Sequence, residues 1–206
     1  MIKKLGGIFV ITLFLFCALS VVVNAGDPEN PEVIDKKRDV RLFWFFPFPF
    51  QMQYKYADIV AAWLHEDSLT PEYLFVSLQL RDLVEKTESL EAIYTVSWAW
   101  NMGSYIVLLH IHPDGISDFW VGRSLDWNDD IDEWIACDGV VDSEQNSITW
   151  SVPKEFIGNP PKGATISNIL PVTTLRFTDE SGLPQMDVLK DTGWNAKTTK
   201  KYVIQY

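Results

Sequence analysis

Hydrophobic and polar residues alternate along several stretches of the chain. Between residues 73 and 80, Leu74, Val76, Leu78 and Leu80 share one face, and Ser77 and Gln79 take the other. Between 93 and 100, Tyr94, Val96, Trp98 and Trp100 alternate with Thr95, Ser97 and Ala99. A period of two residues marks a strand with one buried face. Asn101, Met102 and Gly103 supply turn residues and the pattern resumes over 105–112, so this region reads as a hairpin. Residues 56–64, 119–121, 134–141, 147–152, 164–169, 172–176 and 201–205 are further strand candidates.

Helical periodicity is nearly absent. The run Pro153-Lys-Glu-Phe-Ile-Gly158 suits a short helix, with proline in its first turn and glycine at its exit. Residues 82–91 hold a turn or two of helix, or a loop. Many short strands separated by turn residues predict an all-β fold. The expected architecture is an antiparallel β-sandwich, jelly-roll or immunoglobulin-like, with one or two short helices.

The N-terminus departs from this pattern. Lys3 and Lys4 precede an apolar run over 8–23, which closes on Val23-Asn24-Ala25. Charge, apolar run and small-residue exit together predict a signal peptide over 1–25, preceding the sandwich as a helix. The alternative is an uncleaved anchor, since the run is near the lower length limit for a membrane span. Cys17 lacks the small preceding residue of a lipoprotein signal. Residues 26–38 read as a flexible leader. Residues 41–50 follow as an aromatic arm, in which Pro47 and Pro49 argue against a central strand. The arm either packs over the core or offers a sticky surface. The main domain then spans 51–206.

Composition adds two constraints. The chain carries a net charge of −11, and losing Lys3 and Lys4 with the signal takes it to −13. Such a body repels phosphate backbones, so nucleic acid is not an expected partner. Once Cys17 has left with the signal, Cys137 is alone and no internal disulfide can form. A buried, inert thiol is the expectation there, rather than a nucleophile.

Nucleophile-elbow, phosphate-loop and zinc-protease motifs are missing from the sequence. His110 and His112 lie on one face of a strand and suit zinc or copper if a neighbour brings a third ligand. A solvated strand end is the plainer expectation. The run 126–133 places oxygens at Asp126, Asn128, Asp130 and Asp132, as a calcium loop does. Ile131 and Cys137 exclude an EF-hand, which leaves a different calcium loop or a solvated acidic loop. Of nine tryptophans, Trp98, Trp100 and Trp150 fall in core patterns. Trp120, Trp127, Trp134 and Trp194 lie near expected loops and are the candidates for stacking on sugar rings.

Several segments resemble one group of domains. Asp58-Ile-Val-Ala-Ala-Trp63, Glu66-Asp67 and Glu72-Tyr-Leu-Phe-Val-Ser-Leu-Gln-Leu80 resemble the opening of DOMON-like and family-9-type carbohydrate-binding modules. The hairpin from Tyr94 to Tyr105, the segment from Asp142 to Pro160, and Lys201-Tyr-Val-Ile-Gln-Tyr206 extend the likeness over residues 55–206. It is most similar to accessory domains of secreted archaeal subtilisin-type proteases. The resemblance implies a non-catalytic binding or accessory module, secreted or at the cell surface. Polysaccharide or a cell-surface protein is the implied partner, with calcium as a structural ion. Haem, bound by some members, is not expected, because Met102 and His110 lie at opposite ends of one hairpin arm. The alternatives are a stand-alone protease-associated domain that binds a protein partner and a metal-dependent hydrolase.

Overall fold

A computed structural model describes residues 26–35, 41–42, 55–84, 90–112, 114–115, 117–124, 131–178, 184–193 and 198–206. Residues 1–25, expected to be a signal peptide, and the aromatic residues 43–50 lie outside these. The strands are β1 (Val33–Ile34), β2 (Arg41–Leu42), β3 (Ile59–His65), β4 (Tyr73–Leu80), β5 (Leu90–Trp100), β6 (Gly103–Ile111) and β7 (Ser117–Ser124). They continue as β8 (Glu133–Ala136), β9 (Asp138–Asp142), β10 (Ser147–Pro153), β11 (Thr165–Thr178), β12 (Pro184–Thr192), β13 (Thr198–Thr199) and β14 (Tyr202–Val203). A single 3₁₀ turn, Lys55–Ala57, is the one helical element assigned among the described residues. None of their helices is long and apolar enough to cross a membrane.

Two antiparallel sheets form the sandwich. The smaller runs β13-β1-β3-β4-β10-β9, and the larger runs β2-β12-β11-β5-β6-β7-β8 with β14 on β11. The alternating positions of the sequence supply the core. Leu74, Val76 and Leu78 of β4 and Ile148, Trp150 and Val152 of β10 are fully buried. They join Tyr94, Val96 and Trp98 of β5 and Val107, Leu109 and Ile111 of β6 in one cluster. Trp100, at the end of β5, packs only partly against it.

Several expectations need correction. The segment 153–158 is not a helix. Phe156, Ile157 and Gly158 donate N–H bonds to the carbonyls of Pro153, Lys154 and Glu155 at 3.1, 3.2 and 3.2 Å. Pro153 is still paired with Tyr73, and Gly158 and Asn159 already take positive φ angles of 84° and 49°. Only a stack of turns fits between. The segments 164–169 and 172–176 are one strand, β11, which runs straight through Pro171. A bulge between Ser167 and Leu170, with Asn168 at φ 54°, absorbs the irregularity. The segment 134–141 is two strands, because the chain leaves the larger sheet as β8 and joins the smaller as β9, turning at Cys137. Residues 26–35 are not a separate leader: β1 pairs with β3 and buries Val33 in the core.

A buried ion pair joins the ends of distant segments. Lys154, just after β10, donates to Glu66 Oε1, just after β3, with side chains 6% and 0% exposed. Tyr202 Oη–H donates to Glu66 Oε2 at 2.9 Å, and the Gln205 N–H donates to the same oxygen at 2.5 Å. The Tyr206 N–H reaches Oε1 at 3.4 Å. Glu66 therefore has four donors, whereas Lys154 has one carboxylate and the Tyr206 backbone oxygen at 3.2 Å. Removing one partner of a buried pair costs about 3–5 kcal/mol. Glu66→Ala should lie in that range, and Lys154→Met should cost clearly less, because three donors still serve the carboxylate. Urea unfolding of the two variants measures this; a larger loss for Lys154→Met would refute the central role of Glu66.

Candidate functional site

The outer face of the larger sheet carries two of the four candidate tryptophans. Trp120 on β7 and Trp134 on β8 are 38% and 41% exposed. Both lie within strands, as the candidates 119–121 and 134–141 anticipated. Trp120 stands opposite Ala136, and Trp134 opposite Gly122. Residues opposite one another, or two apart on one strand, share a face. The two indoles are thus diagonal neighbours on the solvent side, while Val121 between them points into the core. Gly122 makes room for this. A Cβ there would lie 2.9 Å from the Trp134 ring and 2.8 Å from Ile131. Leu108 stands opposite Trp120 and Ile106 opposite Gly122, which continue the apolar surface onto β6. Thr95 and Ser97 of β5 border it, their hydroxyls donating to the Val172 and Leu170 carbonyls of β11.

Trp127 and Trp194 lie outside the described residues, as do Asp126, Asn128 and Asp130. Asp132 is exposed, and its N–H donates to the Arg123 carbonyl at 2.9 Å. No calcium set is therefore assembled among the described residues of 126–133. Of the remaining described tryptophans, Trp63 is 6% exposed, Trp98 and Trp150 are buried, and Trp100 is half-buried.

The histidine pair is not a solvated strand end. It gains the neighbour it needs from β5. Ala92 pairs with Ile111, so Glu91 falls beside His112 on the outer face. His110 Nε2 lies 3.3 Å and His112 Nδ1 3.7 Å from Glu91 Oε1. The two rings are in contact, with centroids 4.0 Å apart. On the far side, His112 Nε2 is 3.4 Å from Asp118 Oδ2 of β7. Glu91 is buried, 7% exposed, and the imidazoles are half-buried. Burial, and then the neighbouring His112, lower the pKa of His110 despite the nearby acids. Neutral imidazole is the form that ligates metal. Sequence pattern alone does not single out Glu91, because 82–91 reads as loop or helix and so has no face assigned.

An open groove of about 660 Å³ lies over the smaller sheet, lined by Trp63, His65, Ser77, Asp142, Thr149 and Tyr206 among others. Two polar groups of its floor are spent on each other: the Ser77 and Thr149 hydroxyls bond at 2.9 Å. Trp63 presents little ring surface, so the groove offers less for stacking than the Trp120–Trp134 face.

Compared with known proteins, the chain matches no family model, no curated protein and no solved structure.

Cys137 sits at the turn between the sheets, half-buried, its N–H donating to the Phe119 carbonyl at 3.1 Å. Burial, reinforced by Asp138, pushes its thiol up to about 12. At neutral pH it is a thiol and a poor nucleophile. Iodoacetamide labelling at pH 7.5 should be slow in the folded protein and complete in urea. Fast labelling of the folded protein would refute this placement.

Proposed function

We propose that the protein is an extracytoplasmic, non-catalytic binding module that holds polysaccharide against the outer face of its larger sheet. The observation that carries this reading is the pair of part-exposed indoles, Trp120 and Trp134, diagonal neighbours on the outer face of two paired strands. Sugar rings present C–H faces that stack on aromatic rings, and a sheet keeps two such rings at fixed spacing. Leu108 and Ile106 extend the surface, and the Thr95 and Ser97 side chains border it with polar groups. The signal-like N-terminus supports the reading, because export places the module where polysaccharides are met. The resemblance of residues 55–206 to DOMON-like and family-9-type modules supports it as well. A net charge of −11 favours neutral or cationic glycans over acidic ones.

The test is a glycan array on the full-length protein, run with calcium and with chelator. Neutral polysaccharide should bind, and Trp120→Ala and Trp134→Ala should each weaken binding about tenfold, the equivalent of about 1.4 kcal/mol. Both side chains lie on the surface, so the variants should keep the parent melting temperature. A blank array, or binding unchanged in the double variant, would overturn the sugar reading in favour of a protein partner. A chelator effect would locate calcium in the function.

A further inference from the structure

We propose that Glu91, His110 and His112 bind one divalent first-row transition-metal ion, with zinc the best fit to the donors. The ligand atoms of the three residues all lie within 4.8 Å of one another. Two donors held at 2.0–2.1 Å by a tetrahedral ion stand about 3.4 Å apart. The observed separations from Glu91 Oε1, 3.3 Å to His110 and 3.7 Å to His112, are close to that edge. Little rearrangement is needed to admit the ion.

Two further observations point to a ligand. His110 Nε2 is shut off from solvent and faces the Glu91 carboxylate at 3.3 Å. A ring nitrogen and a carboxylate oxygen held that close need a proton or a metal ion between them. His112 uses its other ring nitrogen, Nε2, on Asp118 Oδ2 at 3.4 Å. A carboxylate behind the imidazole is the usual outer partner of a metal-bound histidine, fixing the tautomer and the ring orientation. Arg176, opposite Glu91 on β11, adds a cation on the other side. Counting neutral imidazoles, Glu91, Asp118 and Arg176 leave one net negative charge for a divalent ion to meet.

The donor set also selects the class of ion. Calcium and magnesium want oxygen ligands, six or more of them. Two imidazole nitrogens and one carboxylate suit zinc, copper or nickel. Three protein ligands leave at least one position open toward solvent. Asp118 lies two residues before Trp120 on β7, so the ion would sit at the end of the aromatic face. The inference does not depend on sugar binding, and its test contains no sugar.

Untagged full-length protein should take up one zinc per chain in equilibrium dialysis. Excess calcium should not displace it. His110→Ala/His112→Ala should abolish saturable uptake, Glu91→Gln should weaken it at least about tenfold, and Asp118→Asn about tenfold through His112. Cobalt should give visible d–d bands that the double variant loses. No saturable uptake by the parent protein, or undiminished uptake by the double variant, would overturn the site. Glu91 is buried, so its variant is checked by melting temperature; if it unfolds, the exposed-side Asp118→Asn decides.

The start of the described chain carries a second, independent inference. Gly26 is buried, and a Cβ there would overlap the Leu64 carbonyl oxygen and both carboxylate oxygens of Glu32. Its backbone nitrogen is therefore within about 5 Å of that carboxylate. Glu32 is 4% exposed and accepts the Leu64 N–H at 2.9 Å. Lys200 bonds Asn30 with its ammonium and acts on Glu32 through its charge. Burial pushes the Glu32 carboxyl up to about 7. We infer that cleavage after Ala25 frees the Gly26 α-ammonium, which becomes the counter-ion of Glu32. The exported protein should begin at Gly26 by mass spectrometry. A form keeping Ala25 should melt lower, and Glu32→Gln should remove most of that difference. Another N-terminus, or additive effects of extension and Glu32→Gln, would overturn it.

Discussion

The fold hangs on the buried carboxylate of Glu66. It follows β3 of the smaller sheet, and Lys154 follows β10 of the same sheet. Tyr202, however, belongs to β14, which pairs with β11 of the larger sheet. One side chain thus ties both layers to the last residues of the chain. A charge in this position is unfavourable unless every oxygen is served. Here the donors come from an ammonium, a phenol and two backbone N–H groups, so the carboxylate can be met only in the assembled sandwich. Cys137 is the single cysteine of residues 26–206 and is free, so no disulfide within them does this work. The tyrosine hydroxyl shares the constraint: burial, then the charge of Glu66, raise the pKa of Tyr202 and keep it protonated as a donor.

The sheets also decide what the surface can be. The chain changes layers at Cys137, leaving β8 as a four-residue edge of the larger sheet and β9 as an edge of the smaller. Gly139 is needed just after the change, because a Cβ there would run into the Phe119 ring. Phe119 in turn meets the Trp150 ring edge-on, with centroids 6.3 Å apart, so the crossing is sealed by aromatic packing. With Phe119 and Val121 turned inward, alternation sends Asp118, Trp120 and Gly122 outward. Asp118, which meets His112, and Trp120 are therefore consecutive outward positions of β7, so the histidine cluster and the indole pair share one sheet face.

What the sequence revealed follows the same logic. Strands β4, β5, β6 and β10 were legible because one face is core and the other solvent, which writes burial directly into the alternation. Strand β12, Pro-Gln-Met-Asp-Val-Leu-Lys-Asp-Thr, has no such period and was missed. The candidates 164–169 and 172–176 left Leu170 and Pro171 between them, yet with a bulge between Ser167 and Leu170 the strand β11 is continuous. The histidine pair was legible as i and i+2 on one face. Its third member was not, since Glu91 meets the pair only through the register of β5 on β6, a long-range property. Trp120 and Trp134 were picked for the wrong reason, nearness to loops, when their exposure comes from facing outward on strands.

The two buried acids share a feature of timing. In a sandwich, sheet pairing joins residues far apart in sequence, and such contacts form late. Strand β1 pairs with both β3 and β13, so its ladder needs residues 198–199 as well as 61–62. Glu66 needs residues 202–206, and Glu32, next to β1, takes the Leu64 N–H of β3. Neither carboxylate is fully served until these distant segments have come together. Until then each is better solvated than buried, which disfavours premature closure of the smaller sheet over an incomplete core. The acids that stabilise the finished sandwich thereby select against its partial forms.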